Sequence, residues 1–242
     1  MQSCFAMLDG IMDSIYTDGT YLRNNPDWHV DDSPWKANHV ATMLERHGIV
    51  PRTVCEIGCG AGEILRALST KLEPSTKFYG YEISPNAYQL CSQKASDKFT
   101  FRLANLLEEE DARFDLVMAL DVFEHVEDYF GFLRKLRSKG QYKLFHIPLD
   151  LSAQEVLRGK PLINARRNVG HIHYFSKETA LATLEDCGYR VLDHFYTSGR
   201  TDLGGLGWKS QLMRIPRQAL YKVNPDTAAR MLGGYSLLVL AQ

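Results

Sequence analysis

The chain has 242 residues, 45% of them hydrophobic and 24% charged, which suits one α/β domain with insertions or two small domains around a sizeable core. A formal net charge of −1 and a pI near 6.7 disfavour nucleic acid as a partner, since such proteins carry a basic surface. The five cysteines form no small disulfide framework, and reduced thiols in a cytoplasmic chain are the simpler expectation.

Phe5, Leu8, Met12 and Ile15 recur at helical spacing and predict an amphipathic helix over residues 1–16. That segment lacks the basic start of a signal peptide, and no run reaches the length of a membrane-spanning helix, so no membrane partner is expected. Residues 17–34 are turn-rich. Ser33-Pro34 opens a helix expected to reach about His47, with Gly48 ending it. "TVCEI" reads as a buried strand, followed by three glycines within five positions and the helix "EILRALSTKL". "KFYGYEI" is a second strand, and "SPNAYQLCSQKA" a helix with Ser84 as its N-cap. "FTFRLAN" and "FDLVMAL" are the third and fourth strands, "EDYFGFLRKLRSK" a helix, and "QYKLFHIP" the fifth strand. Strands alternating with helices predict a parallel sheet covered on both faces. Later, "GHIHYF" reads as extended, "SKETALATLEDCG" as a capped helix, and "YRVLDHFY" and "YSLLVLA" as strands. Residues 198–234 read as an insertion with one or two helices.

The stretch "VCEIGCGAGEIL" combines strand, glycine turn and helix start. Free amides at a helix N-terminus and glycines that admit a ligand to the main chain suit a nucleotide or nucleoside. The spacing is Gly-x-Gly-x-Gly, not the Gly-x-Gly-x-x-Gly of dinucleotide sites, because position 63 is Glu. Glu56 just before the turn would sit badly beside a pyrophosphate and better beside a positive charge. The bland alternative is a tight turn with no ligand. Glu82 ends the second strand, where an acid can accept from both ribose hydroxyls. It could instead cap the next helix, a task that Ser84 serves. Cys55 and Cys59 have three residues between them and read as small buried fillers.

"VCEIGCGAGEIL", "YGYEIS", "LANLLE" and "FDLVMALDVFEHVED" together resemble motifs I to IV of the class I S-adenosylmethionine-dependent methyltransferases, in order and spacing, over about residues 50–150. "GHIHYFSKETALATLEDCGYRVL" and "YSLLVLA" resemble the bacterial small-molecule members. The resemblance implies a Rossmann-like, doubly wound α/β sheet of order 3-2-1-4-5-7-6 with the last strand antiparallel. It also implies S-adenosylmethionine as cofactor, with S-adenosylhomocysteine as product. Gly58, Gly60 and Gly62 would then pass under the methionine moiety, and Glu56 would meet its amino end. Glu82 would hold the ribose, Ile83 would lie against the adenine, and Asn105 and Leu106 would lie at its edge. Asp121 and Val122 would line the transfer site. Asn105 stands where the family more often has Asp, and its amide oxygen can still accept from the adenine amino group.

An oxygen nucleophile gains from a base, and His125, His171 and His173 are the candidates, with His146 beside them. A structural or surface role is the simpler reading of each. His171 and His173 would share one face of an extended segment, yet no third ligand is evident, so no metal is expected. The absence of an Asn/Asp-Pro-Pro-aromatic element and of a Pro-Cys pair argues against nucleobase methylation. Residues 1–48 are expected to form a helical lid over a methyltransferase domain at 49–242, with substrate-side insertions around 150–175 and 198–234. Tyr16, Tyr21, Trp28 and Trp35 could close over the site. Arg166, Arg167, Arg200, Lys209, Arg214 and Arg217 could favour an anionic acceptor or be ordinary surface. The expected activity is O-methylation of a small acceptor, such as a secondary metabolite or glycan precursor. The alternatives are a nicotinamide-dependent oxidoreductase and a non-catalytic cofactor-binding module.

Overall fold

Seven strands form one sheet: β1 (Thr53–Ile57), β2 (Lys77–Glu82), β3 (Phe99–Leu103), β4 (Phe114–Leu120), β5 (Gly140–Pro148), β6 (Val191–Thr197) and β7 (Ser236–Ala241). Their order is β3-β2-β1-β4-β5-β7-β6, and β7 alone runs antiparallel to its neighbours. The computed structural model describes residues 30–202 and 214–242. The helices used below are α1 (Ser33–Arg46), α2 (Glu63–Leu68), α3 (Pro85–Ser92), α4 (Tyr129–Leu136), α5 (Ala153–Arg158), α6 (Lys160–Asn168), α7 (Lys177–Asp186), α8 (Gly199–Asp202), α9 (Arg214–Val223) and α10 (Pro225–Leu232).

Alternate residues along each strand divide between two apolar layers, as the two-residue period of a strand dictates. Cys55 and Ile57, Val117 and Ala119, and Phe145 and Ile147 face Phe132, Leu133 and Leu136 of α4 and Ala180 and Leu184 of α7. Val54, Leu116, Met118 and Leu144 face Ala37, Val40 and Met43 of α1, Leu65 and Leu68 of α2 and Cys91 of α3. Burial on both faces explains why these strands read as near-continuous apolar runs. The strand order reverses between β1 and β4, which opens a crevice at their carboxyl ends.

Some elements differ from their sequence expectation. The helices after β1 and β2 end at Leu68 and Ser92, before the predicted Leu72 and Ala95. "GHIHYF" is not a strand: the amides of Ile172 and His173 both donate to the Glu124 carbonyl, at 3.0 and 3.1 Å, rather than to a strand edge. Residues 150–175 contain α5 and α6, and α8, α9 and α10 lie within 198–234. The capped helix is α7, where Ser176 Oγ accepts from the Thr179 amide and Thr179 Oγ1 accepts from the Ser176 amide. The helix predicted over 1–16 lies outside the described residues. Among the described residues, no helix is long and apolar enough to cross a membrane.

Candidate active site

The turn after β1 is tied to the end of β2. The Gly58 and Cys59 amides donate to the Tyr81 carbonyl, at 2.8 and 3.2 Å, and the Gly60 amide donates to Glu82 Oε2 at 2.8 Å. Gly58, Gly60 and Gly62 have φ of 69°, 53° and 77°, a region that side chains other than glycine's rarely tolerate. A Cβ on Gly58 would also meet Val122 Cγ2 at 3.2 Å, across the crevice. Glu82 Oε1 accepts from the Ile83 and Ser84 amides, at 2.9 and 2.8 Å. Ser84 stands at the N-cap of α3, but its side chain makes no capping bond. Glu82 therefore takes two amides of the turn that leads into α3 as well as one from the glycine turn. Burial raises its pKa above the usual carboxylate range, and these three amides oppose the rise. Glu56 is buried, and its Oε2 has no hydrogen-bond partner. Burial pushes its pKa up to about 8, against the lowering effect of the Lys36 ammonium.

A second cluster joins distant parts of the chain. Asp121 follows β4 with φ of 55°, unusual for a residue other than glycine. Its amide donates to the His146 carbonyl at 2.9 Å, and its carboxylate meets His146 Nδ1 at 2.6 Å and Lys36 Nζ at 2.8 Å. Lys36 also pairs with Asp32 at 3.0 Å. His146 Nε2 lies 2.8 Å from Thr197 Oγ1 on β6. Both ring nitrogens of His146 are thus engaged, which removes it as a base. Burial works to raise the pKa of Asp121, but His146 and Lys36 outweigh it and hold the carboxyl far below its usual range. Burial likewise works to lower the pKa of Lys36, and the two aspartates raise it well above the usual lysine value.

A cavity of about 880 Å³ lies between these clusters. Its wall includes Glu56, Gly58, Gly60, Glu82, Ile83 and Asn105, and further along Asp121, Val122, His125 and His171. Asn105 Oδ1 caps the short turn after β3 by accepting from the Leu107 amide. That turn sends Leu106 into the core and puts Leu107 on the cavity wall, one residue beyond the expected contact. Gly62 lies away from the wall, beneath Phe101 and Cys91. His173 also lies off it, with Nε2 2.9 Å from the Val126 carbonyl and its ring against Tyr129. His171 and His173 therefore do not act as a pair.

His171 meets His125 instead, with ring centroids 4.9 Å apart, and its Nδ1 lies 2.6 Å from Asp150 Oδ2. His125 Nε2 is 3.8 Å from Glu124 Oε1. Burial, reinforced by the neighbouring His171, lowers the His125 pKa to about 4 and keeps that ring neutral at pH 7. Glu124 is the third polar group that the sequence did not reveal. Burial, with Asp121 nearby, raises its pKa well above the usual value.

Of the other candidates, Trp35 lines the cavity and its Nε1 donates to Asp202 Oδ2 at 3.2 Å. Arg166 and Arg167 are exposed on α6, and Arg217 is buried with its guanidinium donating to the Leu232 carbonyl. None of these three arginines lines the cavity. Tyr16, Tyr21, Trp28 and Lys209, and the side chains of Arg200 and Arg214, lie outside the described residues. Lys36 and Asp150 escaped the sequence reading because only the fold brings them to the site, and Glu124, though it adjoins His125, because only the short turn Phe123–His125 buries its carboxyl there.

Residues 32–194 match the family model of the methyltransferase domain. No curated protein matches by sequence. Among solved structures, the chain is similar to magnesium protoporphyrin IX methyltransferase from Synechocystis with bound S-adenosylhomocysteine, at 19% identity and a TM-score of 0.58, covering 86% of this chain and 82% of that one. It is similar to the N-methyltransferase NodS from Bradyrhizobium japonicum, in complex with S-adenosylhomocysteine, at 16% identity and a TM-score of 0.56, over 92% and 94% of the two chains. It is also similar to an S-adenosylmethionine-dependent methyltransferase from Archaeoglobus fulgidus, at 21% identity and a TM-score of 0.54, over 85% and 93%. These likenesses concern the fold, and they agree with the strand order described above. The family match spans more than half of the chain and sets aside the nicotinamide-dependent alternative: the protein belongs to the methyltransferase-domain family and is a methyltransferase of the Rossmann-like class I fold.

Proposed function

We propose that this methyltransferase takes S-adenosylmethionine in the cavity at the β1–β4 crevice and methylates an oxygen of a small-molecule acceptor. The observation that carries the reading is Glu56, a buried acid with an unpartnered Oε2 beside a glycine turn. A cation-bearing ligand would meet that need, and the S-adenosylhomocysteine bound in two of the similar structures carries an ammonium group. The rest of the wall fits the same group. Gly58 is exposed to the cavity and Ile83 offers an apolar face that is 47% exposed. Glu82 Oε2 accepts one amide and keeps acceptor capacity for a hydroxyl. When bound, the cofactor supplies an electrophilic methyl group on a sulfonium sulfur, which passes to a nucleophile aligned with the bond that breaks.

The chain's own residues would orient the acceptor. Asp121 is fixed by Lys36 and His146, so the loop after β4 presents Val122 and His125 from a rigid base. His125 and His171 form the polar wall that would receive the acceptor hydroxyl, and His173 fastens the loop that carries His171. The stretch 30–46 would serve as the acceptor-side cover, supported by Trp35 and Lys36 on the cavity wall. Its α1 part is rigid, because Ala37, Val40 and Met43 are core residues. The described arginines lie off the cavity and lend no support to an anionic acceptor.

The test is transfer of a deuterated methyl group from labelled S-adenosylmethionine to a panel of phenols, sugars and amines, read by mass spectrometry. Labelled hydroxyl products are expected. Labelling confined to amines would overturn the oxygen assignment, and the absence of S-adenosylhomocysteine binding would overturn the cofactor assignment.

A further inference from the structure

We infer that Glu124, His125 and His171 form a site for one divalent first-row transition-metal ion, such as Zn²⁺, Co²⁺ or Mn²⁺, on the acceptor side of the cavity. The inference rests on the proposed function only for the role of the ion, not for its binding. One ligand atom from each of the three side chains lies within 4.8 Å of the others. Two imidazoles and a carboxylate suit borderline divalent ions, and three protein ligands leave positions open for a water or substrate oxygen.

Three independent features point to an ion. First, Glu124 is 1% exposed and neither carboxylate oxygen has a hydrogen-bond partner. A buried acid left so is costly, and a cation at its oxygens would relieve that cost. The nearby Lys36 does not serve, because its ammonium is held by Asp32 and Asp121. Second, His171 Nδ1 donates to Asp150 Oδ2 at 2.6 Å, which leaves the Nε2 lone pair free to bind. A carboxylate behind a histidine in this way fixes the ring and strengthens it as a ligand. Third, the backbone holds the two halves of the site together. The Glu124 carbonyl accepts from the Ile172 and His173 amides, and His173 Nε2 lies 2.9 Å from the Val126 carbonyl. The loop bearing His171 is therefore fastened to the turn bearing Glu124 and His125.

Ligands at bonds of about 2.0–2.2 Å around a tetrahedral ion sit ~3.4 Å apart, so the set tightens when the ion binds. His125 and His171 line the cavity, so the open positions would face the acceptor. An acceptor hydroxyl bound there would lose its proton to water more readily, and an acceptor with two adjacent oxygens could occupy two positions. The two imidazoles then act through the metal and not as a proton-accepting base.

The experiment uses the full chain, stripped with EDTA and dialysed. Co²⁺, Zn²⁺ and Mn²⁺ are titrated separately by calorimetry, with visible absorption for Co²⁺ and elemental analysis for stoichiometry. One equivalent of at least one of these ions is expected, with a raised Tm that EDTA reverses. Glu124→Gln and His171→Asn should each weaken binding at least tenfold, while S-adenosylhomocysteine affinity stays within about threefold of the wild type. Should one variant fail to fold, the other carries the test. Failure of all three ions to bind, or binding that neither substitution weakens, would overturn the inference. S-adenosylhomocysteine binding without metal binding would sink the metal site alone. Metal binding without S-adenosylhomocysteine binding would leave the metal site standing and sink the cofactor reading.

Discussion

Residues 58–62 and Glu82 belong to two adjoining strand–turn–helix units, whereas Lys36, Asp121, His146 and Thr197 come from four separated elements. The first group holds itself through backbone amides: Gly60 to Glu82, and Gly58 and Cys59 to the Tyr81 carbonyl. The second holds itself through side chains, with an ion pair at 2.8 Å and a carboxylate–imidazole contact at 2.6 Å. Backbone geometry tolerates many side-chain changes outside the glycines. A side-chain network tolerates few, because each member leaves a buried partner uncompensated when it is lost.

That contrast breaks most sharply at Lys36. Lys36→Met should destabilise the fold by about 3–5 kcal/mol, because Asp121 loses a partner in a largely buried site. Adding Asp121→Asn should restore part of the loss, and a double-mutant cycle from thermal or urea unfolding measures the coupling. Strict additivity of the two substitutions would show that the pair is not a unit. On the other side, Gly58→Val should leave most of the stability but weaken S-adenosylhomocysteine binding by about 100-fold, since a β-branched residue is strained at this φ and crowds Val122. Calorimetric titration reads that loss.

Glu56 offers a sharper comparison through pH. Its pKa is raised to about 8 in the folded chain, so folding takes up a proton between the ordinary carboxylate range and that value. The stability it contributes is whole below the ordinary range and is lost as pH rises through 8. A cationic ligand favours the ionised acid, so binding should release a proton. Affinity for S-adenosylhomocysteine should then rise with pH up to about 8, by at most ~tenfold per unit, and Glu56→Gln should flatten that rise. An equal slope in the variant would remove Glu56 from the cofactor site. The smallest effect belongs to neither region: Ser176→Ala should cost about 1 kcal/mol through the lost cap of α7, with cofactor binding unchanged. A change in binding there would mean that the two halves of the cleft are coupled through the whole sheet.

The same contrast explains what the sequence made legible. The strands were readable because each is a short apolar run bounded by turn residues, and the strand order was implied by the resemblance to the methyltransferase family. The glycine turn was readable because its three positive φ angles call for glycine. Glu82 was only half readable, since it both borders the cavity and accepts the Ile83 and Ser84 amides of the turn leading into α3. Leu106 differed by one residue because a short helical turn, and not an extended chain, follows β3. The histidines misled for a related reason. His171 and His173 alternate in sequence, but the loop that carries them is pinned to the Glu124 carbonyl, which sends one ring to His125 and the other to Tyr129. Lys36 carries no local signal at all, because its partner Asp121 arrives only when α1 packs beside the carboxyl ends of β1 and β4.

The most direct test of the cofactor cleft is calorimetric titration of S-adenosylhomocysteine into the full chain and into a Glu82→Ala variant shown to be folded. The account predicts saturable binding at one site per chain and at least tenfold weaker binding in the variant. Unchanged affinity in the folded variant, or no binding to the wild-type chain, would contradict it.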